Sequence, residues 1–118
     1  MHLRKGEINL WVSDLGRAAD FYLEAFGFKR IAGDESYLKL SQGDITLTLF
    51  QARTKEHYAP EMGTQSMMTA DLLTDDFDAA VAGITKAGGD VAETGTWEGK
   101  RHTIFRDLDG ISWELIEA

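Results

Sequence analysis

Three carboxylates of this 118-residue chain, Glu7, Asp71 and Glu114, stand in stretches where polarity alternates. In Glu7-Ile8-Asn9-Leu10-Trp11-Val12, alternation puts Glu7, Asn9 and Trp11 on one strand face and Ile8, Leu10 and Val12 on the other. By the same rule Thr69, Asp71 and Leu73 oppose Met68, Ala70 and Leu72. Past the turn signal Asp109-Gly110, Ser112, Glu114 and Ile116 oppose Ile111, Trp113 and Leu115. The stretch 45–51 adds Thr46, Thr48 and Phe50 to the mixed set. Such faces have two chemical uses. Glu7, Asp71 and Glu114, with Asn9, could hold a hard cation such as Mg²⁺ or Mn²⁺ with waters. Alternatively, Trp11 and Phe50 would stack on an organic ligand while the polar groups orient it. Carboxylates that converge without a cation would repel and raise each other's pKa, and a positively charged ligand would relieve that equally well. A solvated strand face and a dimer interface are the plainer alternatives.

The elements that must present these residues form a repeat. Ser13 or Asp14 caps a helix with Leu15, Ala18, Ala19, Tyr22, Leu23 and Phe26 at helical spacing, closed by Gly27. Strands are expected at 28–32, 36–40 and 45–51, the last two joined by a turn at Gln42-Gly43-Asp44. Residues 52–66, with Pro60 and His57, break every period and read as a linker. The pattern then restarts. Asp75-Asp76 opens a helix carrying Phe77, Ala80, Val81 and Ile84, and Gly88-Gly89 closes it. A strand at 90–94, a loop at 95–100 that holds Trp97, and a hairpin over 101–117 follow. Each half reads strand, helix, strand, strand, turn, strand. Asp14-Leu15 aligns with Asp76-Phe77, Gly27 with Gly88, and 45–49 with 111–115. The expected fold is α+β, in which one domain over 1–118 holds two βαβββ modules, about 6–51 and 67–118.

Composition narrows the partners. A formal net charge of -8 argues against nucleic acid and against an anionic membrane surface. No apolar run approaches the roughly 18 residues of a membrane span. Met1 to Glu7 lacks the apolar segment of a signal peptide. With no cysteine, there is no thiolate metal site, Cys nucleophile or disulfide, which is compatible with a cytoplasmic protein. His2, His57 and His102 fall outside the candidate ligand positions, and His102 could face either side of its strand.

The string Val12-Ser13-Asp14-Leu15-Gly16-Arg17-Ala18-Ala19-Asp20-Phe21-Tyr22, the Phe26-Gly27-Phe28 close and Asp107-Leu108-Asp109-Gly110…Trp113-Glu114-Leu115 resemble the vicinal oxygen chelate superfamily. That superfamily includes glyoxalase I, extradiol dioxygenases, fosfomycin-resistance enzymes and bleomycin-resistance proteins. Leu108 departs from it, since the family usually has proline there. The resemblance implies modules curled into a cup-shaped mixed sheet, and commonly a homodimer, with the cup built in some members from two chains. It carries the metal-ligand positions of the enzymes onto Glu7, Thr48, Thr69 (or Met68) and Glu114. Two carboxylates and two threonines are a poor set for zinc, nickel or iron, and a facial triad for dioxygenase chemistry is missing. The expected function is therefore cofactor-free sequestration of a small, partly aromatic molecule by Glu7, Asn9, Trp11, Thr48, Phe50, Thr69, Asp71 and Glu114. Any positive groups of that molecule would pair with the carboxylates. The alternative is a glyoxalase-like enzyme with one divalent metal on Glu7 and Glu114. A third reading is a regulatory partner whose cup another chain fills.

Overall fold

The computed structural model describes residues 1–52 and 69–118. The linker beyond Ala52, with His57 and Pro60, and Met68 lie outside the described residues. The first module opens with β1 (Ile8–Val12), in which Leu10 and Val12 are buried and Asn9 and Trp11 exposed, as alternation predicts. Helix α1 (Leu15–Phe26) starts at Asp14, whose side chain accepts from the Arg17 N–H, and ends at Gly27 with φ 76°. The chain continues through β2 (Lys29–Gly33), β3 (Tyr37–Gln42) and β4 (Ile45–Gln51). They form a sheet of order β1-β4-β3-β2, with β1 parallel to β4 and the other pairs antiparallel.

The second module repeats this plan. β5 (Ala70–Thr74) leads to α2 (Phe77–Lys86), capped by Asp76 accepting from the Ala79 N–H. β6 (Asp90–Val91), β7 (Gly95–Trp97), β8 (Lys100–Arg106) and β9 (Ser112–Glu117) follow. The sheet order is β5-β9-β8-β6, with β5 parallel to β9 and β7 paired to β8. The expected α+β class with two mixed-sheet modules is thus observed, each module forming its own sheet. Two details differ. β6 stops at Val91 rather than Thr94, and the expected loop at 95–100 contains β7. Glu98 (φ 51°) and Gly99 (φ 79°) both take positive φ, so they make a two-residue turn that pairs Trp97 with Lys100.

One core serves both modules. Phe21, Tyr22, Phe105 and Trp113 are buried in a continuous apolar cluster, and α1 packs against α2. Gly83 permits that approach: a Cβ there would lie 2.5 Å from the Ala25 carbonyl oxygen. A polar joint crosses the same boundary. Trp113 Nε1 donates to the Tyr22 hydroxyl at 3.1 Å, and that hydroxyl donates to Asp107 Oδ2. Asp107 Oδ1 accepts the N–H groups of Asp109 and Ile111, each at 2.9 Å, which shapes the turn before β9. Asp109 Oδ1 accepts the Ser13 N–H, so this turn also docks onto the β1–α1 junction. Burial raises the Asp107 carboxyl above its ordinary range, although its hydrogen bonds oppose the shift. Burial and then the Asp107 charge push the Tyr22 hydroxyl well upward. Asp107 and Asp109, quoted above for the resemblance, thus have a structural role in this molecule.

Candidate functional site

Each sheet has a face turned away from its helix. On the first, the register aligns Asn9, Thr48 and Lys39 in one row across β1, β4 and β3, and Trp11, Phe50 and Tyr37 in the next. Trp11 and Phe50 stack with centroids 5.0 Å apart and an interplanar angle of 29°. Tyr37 joins Phe50 at 6.4 Å. Trp11 remains 45% exposed, so the aromatic row offers ring surface to a ligand.

Glu7, just before β1, reaches into the polar row. Its Oε1 accepts from the Lys39 ammonium at 2.7 Å, and its Oε2 accepts from the Thr48 hydroxyl at 2.7 Å. These bonds, Lys39 first and Thr48 second, hold the Glu7 carboxyl below its ordinary pKa. The expectation that repulsion from other carboxylates raises it is overturned, because Lys39 supplies the opposite charge within the sheet. Lys39 and Tyr37 were absent from the expected site. Register across the Gly43 turn could have found them, since Gln42 pairs with Ile45 and therefore Lys39 with Thr48.

On the second open face, Asp71, Glu114 and Ile104 form one row across β5, β9 and β8, and Leu73, Ile116 and His102 the next. Asp71 and Glu114 are therefore neighbours. His102 shares their face, which settles its direction. Its Nδ1 lies 3.7 Å from Glu114 Oε1, a charge contact when the ring is protonated, too long for a hydrogen bond. The ring lies over Gly95, where a Cβ would come within 3.0 Å of Nε2. Thr69 is exposed just before β5, and Trp97, at the β7–β8 tip, is 70% exposed.

The structure thus joins Glu7 with Thr48, and Asp71 with Glu114. Glu7 and Glu114 belong to different sheets and do not touch, so Asp71 accompanies Glu114 and not Glu7. Among the described residues, no three His, Asp or Glu side chains converge as a metal would require. Both Glu7 oxygens are engaged, and one of them by a cation. Within one chain, the donor set carried over from the resemblance does not fit a metal ion. A cavity of about 230 Å³ opens at the module boundary between Phe26, Phe28, Ile45, Leu72, Asp76 and Leu115. It lies away from Glu7 and Glu114, and its apolar lining continues the core.

The sequence profile described as the glyoxalase/bleomycin resistance protein/dioxygenase superfamily matches residues 4–115. The chain belongs to this superfamily. Its description embraces enzymes and binding proteins alike, so membership leaves the activity to be argued from the site. No curated protein matches the chain at a significant level. Solved structures similar to this superfamily member include a fosfomycin resistance protein from Mesorhizobium loti, 22% identical with a TM-score of 0.80, the alignment covering 100% of this chain and 94% of that one. A hypothetical protein from S. aureus is 24% identical with a TM-score of 0.78, covering 100% and 96%. A bleomycin-binding protein solved with bleomycin is 21% identical with a TM-score of 0.70, covering 98% and 99%. Likeness at these identities establishes the shared fold. No described helix is long and apolar enough to cross a membrane.

Proposed function

We propose that this chain is a binding protein that sequesters a small, partly aromatic molecule on the open faces of its two sheets. The observation that carries this reading is the Trp11–Phe50–Tyr37 row, three rings side by side on a sheet face that the helix leaves uncovered. Rings placed for core packing would lie on the α1 side of the sheet. Here they supply flat apolar area, while Asn9 and Thr48 one row away supply polar orientation. Asp71 and Glu114, with Thr69 beside them, would receive a positive group of the ligand. The bleomycin-binding relative is consistent with this use of the fold.

The glyoxalase-like alternative would set a metal ion beside the Lys39 ammonium that already pairs with Glu7, and like-charge repulsion disfavours it. A homodimer belongs to the proposal. β1 and β5 each lie at one edge of their sheet, where a second copy can bring the first open face of one chain toward the second open face of the other. The proposed setting is the cytoplasm, as the cysteine-free composition suggests.

The test is calorimetric titration of the purified protein with 2-naphthylmethylammonium in EDTA, with metal analysis of the same preparation. Saturable binding that Trp11→Ala weakens about tenfold and EDTA leaves unchanged supports sequestration. One tightly held divalent ion per chain, removed by Glu114→Ala, would overturn it in favour of the metal enzyme. Light scattering checks the dimer, and a monomer at all concentrations would refute that part.

A further inference from the structure

We infer that Lys39, held beside Glu7, seats an oxygen atom of the ligand. The consequence is a substrate class: flat aromatic molecules bearing a carboxylate or carbonyl oxygen close to the ring. This inference rests on the binding function proposed above and deepens it.

The placement is the first ground. Lys39 and Tyr37 are two residues apart on β3 and face the same side. Two residues of strand span roughly 7 Å. A ring lying on the Trp11–Phe50–Tyr37 row therefore has the ammonium within reach of a substituent on its edge. The second ground is fixation. Lys39 is bonded to Glu7 Oε1, and Glu7 is held in turn by Thr48, which is itself only 3% exposed. The Lys39 side chain is 30% exposed, so its head is partly withdrawn from water but still open to the face. A lysine tethered in this way gives up less freedom on binding than a free surface lysine does.

The third ground is donor count. An ammonium has three N–H donors. Among the described residues, Glu7 is its one hydrogen-bond partner. Two donors remain, and they call for an acceptor. Glu7 offers a cation less than Asp71 and Glu114 do, because Lys39 already neutralises its charge and each oxygen already accepts a hydrogen bond. The corresponding position of the second module holds Ile104, beside Glu114. The two faces therefore divide the work: oxygen acceptors go to Lys39, and positive groups go to Asp71 and Glu114.

The test compares two probes of one shape, 2-naphthoate and 2-naphthylmethylammonium, by calorimetry on the wild type, Lys39→Met, Lys39→Arg and Glu7→Gln. Loss of a charge-assisted hydrogen bond in Lys39→Met should weaken naphthoate by about tenfold or more. The cationic probe should stay within about twofold, because its ammonium pairs with Asp71 and Glu114 on the other face while its ring uses the aromatic row that Lys39→Met leaves intact. Lys39→Arg should restore most of the naphthoate affinity, and Glu7→Gln, which removes the neutralising charge but keeps an oxygen that can hold the ammonium in place, should tighten naphthoate. Thermal melts confirm that each variant is folded. Naphthoate binding that ignores Lys39→Met overturns the inference, and so does an equal loss of both probes, which would give Lys39 a structural role. If neither probe binds the wild type, the proposed function itself falls. If both bind but neither depends on Lys39, this inference alone falls.

Discussion

In the first sheet, Thr48 of β4 lies between Asn9 and Lys39; in the second, Glu114 of β9 lies between Asp71 and Ile104 at the same places in the register. One row further on, Trp11, Phe50 and Tyr37 correspond to Leu73, Ile116 and His102. Glu7 precedes β1 where Thr69 precedes β5. Carboxylate and hydroxyl have exchanged positions between the modules, and the residue across the sheet has changed from a lysine to an isoleucine. The backbone plan is shared, so these side chains alone make one face aromatic and charge-balanced and the other aliphatic and acidic. A repeated fold can thus present two different half-sites without any change of topology.

The comparison holds only while the two sheets keep their relative positions, and the largest effect should come from breaking the joint between them. Asp107→Ala removes two turn-forming hydrogen bonds and leaves the buried Tyr22 hydroxyl without its acceptor. It should cost about 2–4 kcal/mol in urea unfolding, whereas Asp107→Asn should cost less. Next in size, Trp11→Ala should weaken 2-naphthoate about tenfold, the order expected for an aromatic anchor. Leu73→Ala, its equivalent in the second module, should weaken it less than about threefold, since a single exposed aliphatic group offers little area. Equal losses would erase the distinction between the faces. A smaller change sharpens the comparison by transplantation: Ile104→Lys gives Glu114 the partner that Glu7 has. Calorimetry should then show 2-naphthylmethylammonium weakened by about threefold to fivefold, as for a partly exposed ion pair.

The smallest effect concerns pH. The folded pKa of Asp107 is raised above its unfolded value, so the folded state holds that proton more tightly. The stabilisation is complete below the unfolded pKa and is lost as pH rises through the folded one. The stability of the wild type relative to Asp107→Asn should therefore fall across that window. A relative stability that rises with pH there would contradict the shift.

Much of this is legible in the sequence. Alternation places Glu7, Asn9 and Trp11 together because the other side of β1, with Leu10 and Val12, is buried in the core, and Asp14 and Asp76 signal both helix starts because an unpaired N–H needs an acceptor. Alternation in Tyr37-Leu38-Lys39-Leu40 sets Lys39 opposite the leucines, but its place beside Thr48 depends on the register of β3 with β4, and so on the conformation of the turn between them. His102 was ambiguous for the same reason until its pairing with Ile116 was known. β7 has three residues, too few for a period, and owes its existence to a turn in which Glu98 adopts a conformation unusual for its type. Separate sheets for Glu7 and Glu114 follow from the repeat, since each module pairs its own strands; how the two sheets are set against each other depends on how α1 packs on α2, which no local pattern encodes.

That packing passes through Gly83, where α2 lies against the backbone of α1. α1 rests on β3 and β4, and α2 on β6 and β9, so the helix pair acts as an axle carrying a platform on each side. A single methyl at the axle would have to wedge the helices apart, and each platform would tilt with the helix beneath it. The missing side chain thus works as a spacer gauge. It sets how the ring-bearing and acidic platforms are angled, far from any atom that a ligand would touch.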